Sequence, residues 1–454
     1  MNFSDLDEKT ENISQEIFNL IEKLYPICRS ITGEGVRQTL KIIEREIPLK
    51  KYEIATGTQV FDWKIPKEWN VKDAYIKNLT GEKIVDFKKS NLHLVNYSIP
   101  IKKRIQFNEL KEHLFSIPEQ PQVIPYVTSY YSENWGFCLE HEKLLQMKDE
   151  EYEIVIESKI DNGSLTYGEY YIPGKSEDEI IFSAYVCHPS MCNDNLSGTA
   201  IITALAKYLK KFELNYSLRF LFVPETIGAI TWLFLNQKNV HKIKHGLVLT
   251  CIGDSGNFSY KKSRIGDSEI DNTVEEILKK TENKFDLLDF YPWGSDERQY
   301  CSPGFNLPVG TLMRSVPTKY KEYHTSSDNL EFMNKKSLQK SFEMCFSIIS
   351  ELEKNFDEKK ESSKSKLNKK NGEYYVNLNP MCEPHLGKYG LYNKFGALTK
   401  IDTMKTAIFW ILSLTDGTNS VEDIAKKSNL ELDIIKKTIK ILEKEKLVRF
   451  YEKV

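Results

Sequence analysis

Four continuous apolar runs punctuate the middle of the chain: EIIFSAYV (179–186), SLRFLFV (217–223), HGLVLTCI (245–252) and LPVGTLM (307–313). Helical patterns separate most of them, notably over 197–211, 228–238 and 272–282, and a long one follows over about 335–355. Strands apolar along their whole length are buried on both faces, and helices in the connections supply the cover. The pattern therefore predicts an α/β core, a mixed, mostly parallel sheet with helices on both faces.

Around this core the texture changes. Residues 11–47 read as two helices, with Ile13, Ile17, Leu20, Ile21 and Leu24 spaced for one face of the first and the second starting near Val36. Short alternating runs broken by turn residues predict a β-rich insert, with one helix near FNELKEHL. The run YEIVIESKI-DNG-SLTYGEYYI predicts a hairpin about an Asp-Asn-Gly turn. A Lys/Ser-rich stretch reads as a linker. After it come LTKID as a short strand, a helix over 403–414, a capping-box-like start at Ser420, a helix carrying Leu432, Ile435, Ile439 and Leu442, and a closing strand in LVRFYEKV. That order is a winged helix. The predicted layout is a discontinuous core domain (1–50 and 150–355), an inserted β-rich domain (51–149), a linker (356–373) and a winged-helix-like domain (374–454). A length of 454 residues accommodates about three domains.

Composition narrows the partners. Lys+Arg (63) against Asp+Glu (65) gives −2, so no global charge draws the chain to nucleic acid or an anionic membrane. No apolar run reaches the ~18 residues of a membrane span. The start, MNFSDLDEKTENISQE, is acidic and polar rather than basic and apolar. Eight cysteines contain no CxxC pair. These features predict a cytoplasmic protein with reduced thiols and no membrane contact. Residues 421–454 carry nine Lys+Arg and seven Asp+Glu, and the helix in the recognition position, ELDIIKKTIKILEKEK, has no Arg. A DNA reader wants a basic stripe and Arg for base edges. Docking or self-association is the better expectation for this unit, with a DNA-binding regulator as the alternative.

Chemistry gathers just past the apolar runs. Cys187-His188 follows the first, Pro224-Glu225 the second and Gly253-Asp254 the third, and Tyr323-His324 stands in the loop after the fourth. Open α/β sheets bind ligands at the carboxyl ends of their strands, so topology alone brings these side chains to one rim. His188 and Asp194 share a loop that ends at a helix start. Such a pair could meet at a cation, or the loop could simply be a capped turn. Two His, one Asp and a free Glu make up a catalytic zinc site: three ligands, an open position and a carboxylate to carry a proton. Cys187, His188 and Cys192 are an alternative, structural set, short of the four protein ligands a closed site needs. There is no GxSxG elbow and no phosphate-binding glycine loop. Tyr130, Tyr131 and Trp135 could wall a substrate or pack the insert.

Asn193-Asp-Asn-Leu-Ser-Gly198 and Tyr323-His-Thr-Ser-Ser-Asp328 resemble two signatures of the zinc aminopeptidases that share a fold with zinc carboxypeptidases and glutaminyl cyclases. More narrowly, GTQVFDWKIPKEW, NLHLVNYSIP, SYYSENWGFCL and CHPSMCNDNLSG resemble bacterial aminopeptidase-like proteins with an inserted β-rich domain and a C-terminal winged helix, over nearly the whole chain. The resemblance implies Asp194 and His324 as metal ligands, with His188 as a third, and Glu225 as general base. Where the family pairs that base with a second, ligating Glu, this chain has Thr226, and its third-strand Asp falls near Cys251. The expectation is therefore one zinc per chain and hydrolysis of a peptide or amino-acid conjugate. Asp296 and Glu297 are candidate binders for a substrate amine, Arg264, Arg298 and Arg314 for a carboxylate, with Asp254 and Tyr323 as further candidates. A catalytically inactive binding protein on the same fold is the other reading.

Overall fold

The computed structural model describes residues 12–356, 372–391 and 403–452. The linker and the LTKID strand fall largely or wholly outside the described residues.

The main sheet has eight strands: β1 (Lys50–Ala55), β2 (Ser164–Ile172), β3 (Glu179–Tyr185), β4 (Ser217–Val223), β5 (Ile243–Leu249), β6 (Phe258–Lys261), β7 (Phe285–Leu288) and β8 (Val309–Met313), in the order β1-β2-β4-β3-β5-β8-β6-β7. The four apolar runs are its parallel centre, β4-β3-β5-β8. β1 and β2 are antiparallel on one side, and β6 runs antiparallel to β8 on the other. The helices are α1 (Ile13–Leu24), α2 (Glu34–Glu44), α3 (Gly198–Leu209), α4 (Ile227–Asn236), α5 (Glu269–Thr281) and α6 (Lys335–Lys354).

Alternate residues of β3 enter different cores, as strand geometry requires. Ile180, Phe182 and Ala184 pack in one cluster with Leu20 of α1, Leu205 of α3 and Phe342 of α6. Ile181 and Tyr185 pack in the other with Trp232 and Leu233 of α4 and with insert residues such as Trp69 and Tyr152. One face of the sheet is therefore covered by helices, the other by α4 and the insert together.

A four-stranded antiparallel sheet forms the centre of the insert, in the order Lys83–Asp86, Glu68–Lys77, Glu151–Asp161, Ile101–Gln106. The expected hairpin is not made. Glu151–Asp161 pairs with Glu68–Lys77 and Ile101–Gln106, whereas Ser164–Ile172 pairs with β1 and β4 of the main sheet. The Asn162-Gly163 turn hands the chain from one sheet to the other. Gly163 fits there: a Cβ would stand 2.6 Å from Cβ of Glu68, an atom that cannot swing aside.

The C-terminal unit has helices Thr403–Leu414, Val421–Ser428 and Leu432–Lys444 beside a three-stranded sheet of Asp416–Ser420, Tyr374–Asn377 and Val448–Phe450. The capping box at Ser420 is formed with Asp423. This unit is bound to the rest of the chain. Arg264 pairs with Asp416 and donates to the Ser413 carbonyl at 3.1 Å, and Trp293 meets Trp410 edge-on at 6.1 Å. No helix among the described residues is long and apolar enough to cross a membrane.

Candidate metal centre

β4 and β5 flank β3 on opposite sides, so the strand order reverses at β3, and the candidate side chains meet at its carboxyl end. His188, Asp194 and His324 each turn one donor atom inward, all within 4.8 Å of one another. Nε2 of His324 lies 2.9 Å from Oδ2 of Asp194, and Nε2 of His188 lies 4.0 Å from the same oxygen. Glu225 stands beside them, its Oε2 3.8 Å from Nε2 of His188.

Each donor is held by neighbours. Arg29, fully buried, donates from Nε to the His188 carbonyl at 2.8 Å. The other ring nitrogen of His188, Nδ1, faces Sγ of Cys187 at 3.3 Å, which leaves Nε2 for the centre. Asp328 grips the Asp194 loop: its Oδ1 accepts the N–H of Asn193 at 2.6 Å and its Oδ2 the N–H of Asp194 at 2.9 Å. The Tyr185 hydroxyl donates to Oδ1 of Asp194 and lies 2.7 Å from Thr250 Oγ1. The insert fixes the His324 loop through the Tyr126 N–H, which donates to the His324 carbonyl at 2.8 Å. The Tyr126 ring sits 5.2 Å from both imidazoles.

Four of the twelve non-glycine residues with positive φ among the described residues stand on this rim. Ser190, Thr226, Cys251 and His324 all have φ between 40° and 64°, a region non-glycine residues rarely adopt and one that clusters at functional sites.

The protonation states suit metal ligation. Burial holds the His188 imidazolium down to about 4, against the pull of Asp194, so the ring is neutral near pH 7. Burial pushes the Asp194 carboxyl up, but His188, His324 and the Tyr185 hydroxyl outweigh it and keep it below its ordinary value. Burial pushes Glu225 well up, with Asp296 and Asp194 adding to the rise and Arg298 opposing it. A cation at the cluster would draw it back down.

The other candidates have separate fates. Arg298 adjoins Glu225 across the cavity, donating from Nη2 to Thr226 Oγ1 at 2.9 Å. Tyr323 stacks on His324 at 3.9 Å. Asp296 lies behind the rim, where its Oδ1 accepts the Thr226 N–H at 2.6 Å. Glu297 is held by Lys261 at 2.5 Å, both side chains being 1% exposed. Asp254 supports the ligand loop from below by accepting from Asn193 Nδ2 at 2.7 Å. Arg314 reaches the Gly256 carbonyl at 2.7 Å and Ser341 Oγ at 3.1 Å, under α6, and Arg264 is taken up by the C-terminal unit. Tyr130 and Tyr131 line the cavity, whereas Trp135 stacks on His113 at 3.7 Å within the insert.

The cavity measures about 460 Å³. Its lining includes residues that sequence reasoning passed over: Trp63 and Tyr126 of the insert, and Glu383, His385 and Phe409 near or within the C-terminal unit. Pro380-Met-Cys-Glu-Pro-His385, a proline-bracketed cluster of reactive side chains, was the available signal for two of them. Nothing local marked Arg29.

Two family models match the chain. One, described as a domain of unknown function (DUF4910), covers residues 18–355, and one described as a winged helix-turn-helix covers 373–450. A protein of Clostridium acetobutylicum, provisionally named for polysaccharide biosynthesis and an aminopeptidase-like domain, is 50% identical over 435 residues, 95% of this chain and 96% of that protein. The chain belongs to this aminopeptidase-like family. A crystal structure of a C. acetobutylicum protein provisionally named a peptidase matches with a TM-score of 0.76 at 48% identity, covering 99% of this chain and all of that one. The zinc aminopeptidase of Bacillus subtilis matches with a TM-score of 0.57 at 13% identity, covering 76% of this chain and 95% of that one. The aminopeptidase-like family therefore brings the peptidase fold, with its eight-stranded mixed sheet, together with a C-terminal winged helix.

Proposed function

We propose that this protein is a zinc-dependent amide hydrolase, an exopeptidase acting on a peptide or amino-acid conjugate, with one zinc held by His188, Asp194 and His324 and with Glu225 as general base. The observation that carries the reading is the convergence of two imidazole nitrogens and a carboxylate oxygen within 4.8 Å, with a second carboxylate, that of Glu225, 3.8 Å from His188. The donor set fits zinc: tetrahedral ligand atoms about 2.1 Å from a common centre lie about 3.4 Å from one another. The separations of 2.9 and 4.0 Å at Asp194 bracket that value. When bound, zinc supplies Lewis acidity to a carbonyl and lowers the pKa of a water.

The chain's own residues do the rest. Glu225, at the cavity wall, takes a proton from the attacking water and returns it to the leaving amine. Arg298 beside it tempers the charge of this acidic corner. A single metal is favoured over a pair because the second carboxylate position is Thr226, whose hydroxyl accepts from the Arg298 guanidinium. A guanidinium there repels a further cation.

Metal analysis of the protein purified without added zinc, alongside hydrolysis of a panel of aminoacyl and peptidyl amides, tests the reading. About one zinc per chain with turnover supports it. No zinc, or two, defeats the mononuclear site.

A further inference from the structure

The outer half of the cavity is built by two distant stretches of chain. His385 stacks on Trp63 with ring centroids 4.3 Å apart and planes 20° apart, and Tyr131 lies 4.7 Å from His385. The segment bearing His385 is pinned from several sides. The Asp62 carboxylate accepts the His385 N–H at 2.8 Å and pairs with Lys388. The Trp63 indole donates to the Glu383 carbonyl at 2.8 Å. The Glu383 carboxylate meets Arg298 at 3.1 Å. These anchors reach both the insert and the main-sheet core, so the segment is a fixed wall rather than a strap. Its two charges, Glu383 and Lys388, are each paired. A side chain entering here meets ring faces and neutralised charges, which suits an apolar ring and penalises a bare charge.

We propose that residues 383–388, leading into the C-terminal unit, form the specificity wall of the site, with His385 and Trp63 selecting a terminal residue whose side chain is uncharged and ring-bearing. The identity of the ligand as an amino acid or its conjugate rests on the hydrolase reading; the wall itself does not. In this assignment Asp62 is a positioning residue, acting through the backbone of His385.

The test is calorimetric binding of L-phenylalanine and L-alanine to the full chain as purified. Neither probe can be hydrolysed, and each carries both a free amine and a free carboxylate. Phenylalanine should bind at least ~10-fold more tightly than alanine, the scale expected for burying a ring in an apolar pocket. His385→Ala should bring the two affinities to within about twofold by removing one face of that pocket, with zinc content and thermal midpoint unchanged. Asp62→Asn should weaken phenylalanine binding while leaving alanine binding alone, and it stands in should His385→Ala misfold. Equal affinities in the wild type, binding of neither probe, tighter binding of lysine or glutamate, or discrimination that survives both variants would overturn the proposal. Loss of the hydrolase reading would appear instead as missing zinc or absent turnover, with the phenylalanine preference intact.

Discussion

The carboxylate of Asp328 accepts the backbone N–H of Asp194 at 2.9 Å across 134 residues of sequence. It also accepts the N–H of Asn193, so one buried side chain sets the loop that presents the central ligand. Burial pushes this carboxyl up to about 8. Asp328→Asn would place an amide N–H against a backbone N–H. We expect it to weaken zinc binding by ~10–100-fold, the usual scale for a group that orients a metal ligand. Competition with a chromophoric chelator measures it, and unchanged affinity would show that the loop holds its own shape.

His188→Ala and His324→Ala should each release the zinc, because two remaining donors hold it poorly. Metal content of the folded variants, checked by circular dichroism, decides this. Retention of a full equivalent in either variant would remove that histidine from the ligand set.

Glu225→Gln should lower turnover by ~10²–10⁴-fold while metal content stays at wild-type level, because glutamine keeps the shape but cannot carry the proton. Loss of zinc would instead make Glu225 a ligand.

Glu297→Ala should cost about 3–5 kcal/mol of stability, because it leaves a buried lysine without its anion. Lys261 has Tyr291 under its ammonium at 3.8 Å and donates to the Trp293 carbonyl at 2.6 Å, neither of which neutralises it. Chemical denaturation reads the loss. A variant of normal stability but impaired substrate affinity would restore Glu297 to a binding role.

A pH dependence follows from Arg37 of α2 and Glu68 of the insert. The Arg37 guanidinium draws the Glu68 carboxyl down to about 2, against its burial and with help from the Ser164 N–H. A depressed carboxyl stabilises the folded chain above its unfolded value of about 4.3, and that contribution drains away as pH falls toward about 2. Glu68→Gln should therefore lower the thermal midpoint near pH 7 and flatten its decline between pH 5 and 3. Parallel melting curves for the two proteins would contradict this.

Much of the core was legible because its signals are local. The four apolar runs became the parallel centre of the sheet, and the acidic and imidazole side chains after three of them share one rim. The failures concern choices made at long range. Period-two alternation marks 151–161 as a strand but does not say which sheet it joins, and the Asn162-Gly163 turn suits a hairpin and a hand-over equally. A long cation carries no sign of its destination: Arg264 and Arg314 suit a substrate carboxylate by type, and tertiary contacts take one to the C-terminal unit and the other under α6. Glu383 and His385 sit 59 and 61 residues past His324, in a segment whose neighbours say nothing of Trp63 or Arg298.

The residues around the cavity run from Ile31 to Phe409 in chain order. On a ribosome adding ~5–20 residues per second, the first wall precedes the last by about 20 to 75 s. From the time His324 is made until 383–388 follow, about 3 to 12 s at that rate, the histidines and acids of the rim exist in a half-built vessel, open on the side that 383–388 will close. The finished cavity is thus a late event in the life of each molecule, and a nascent or truncated chain has a mouth of a different shape from the one the mature protein presents.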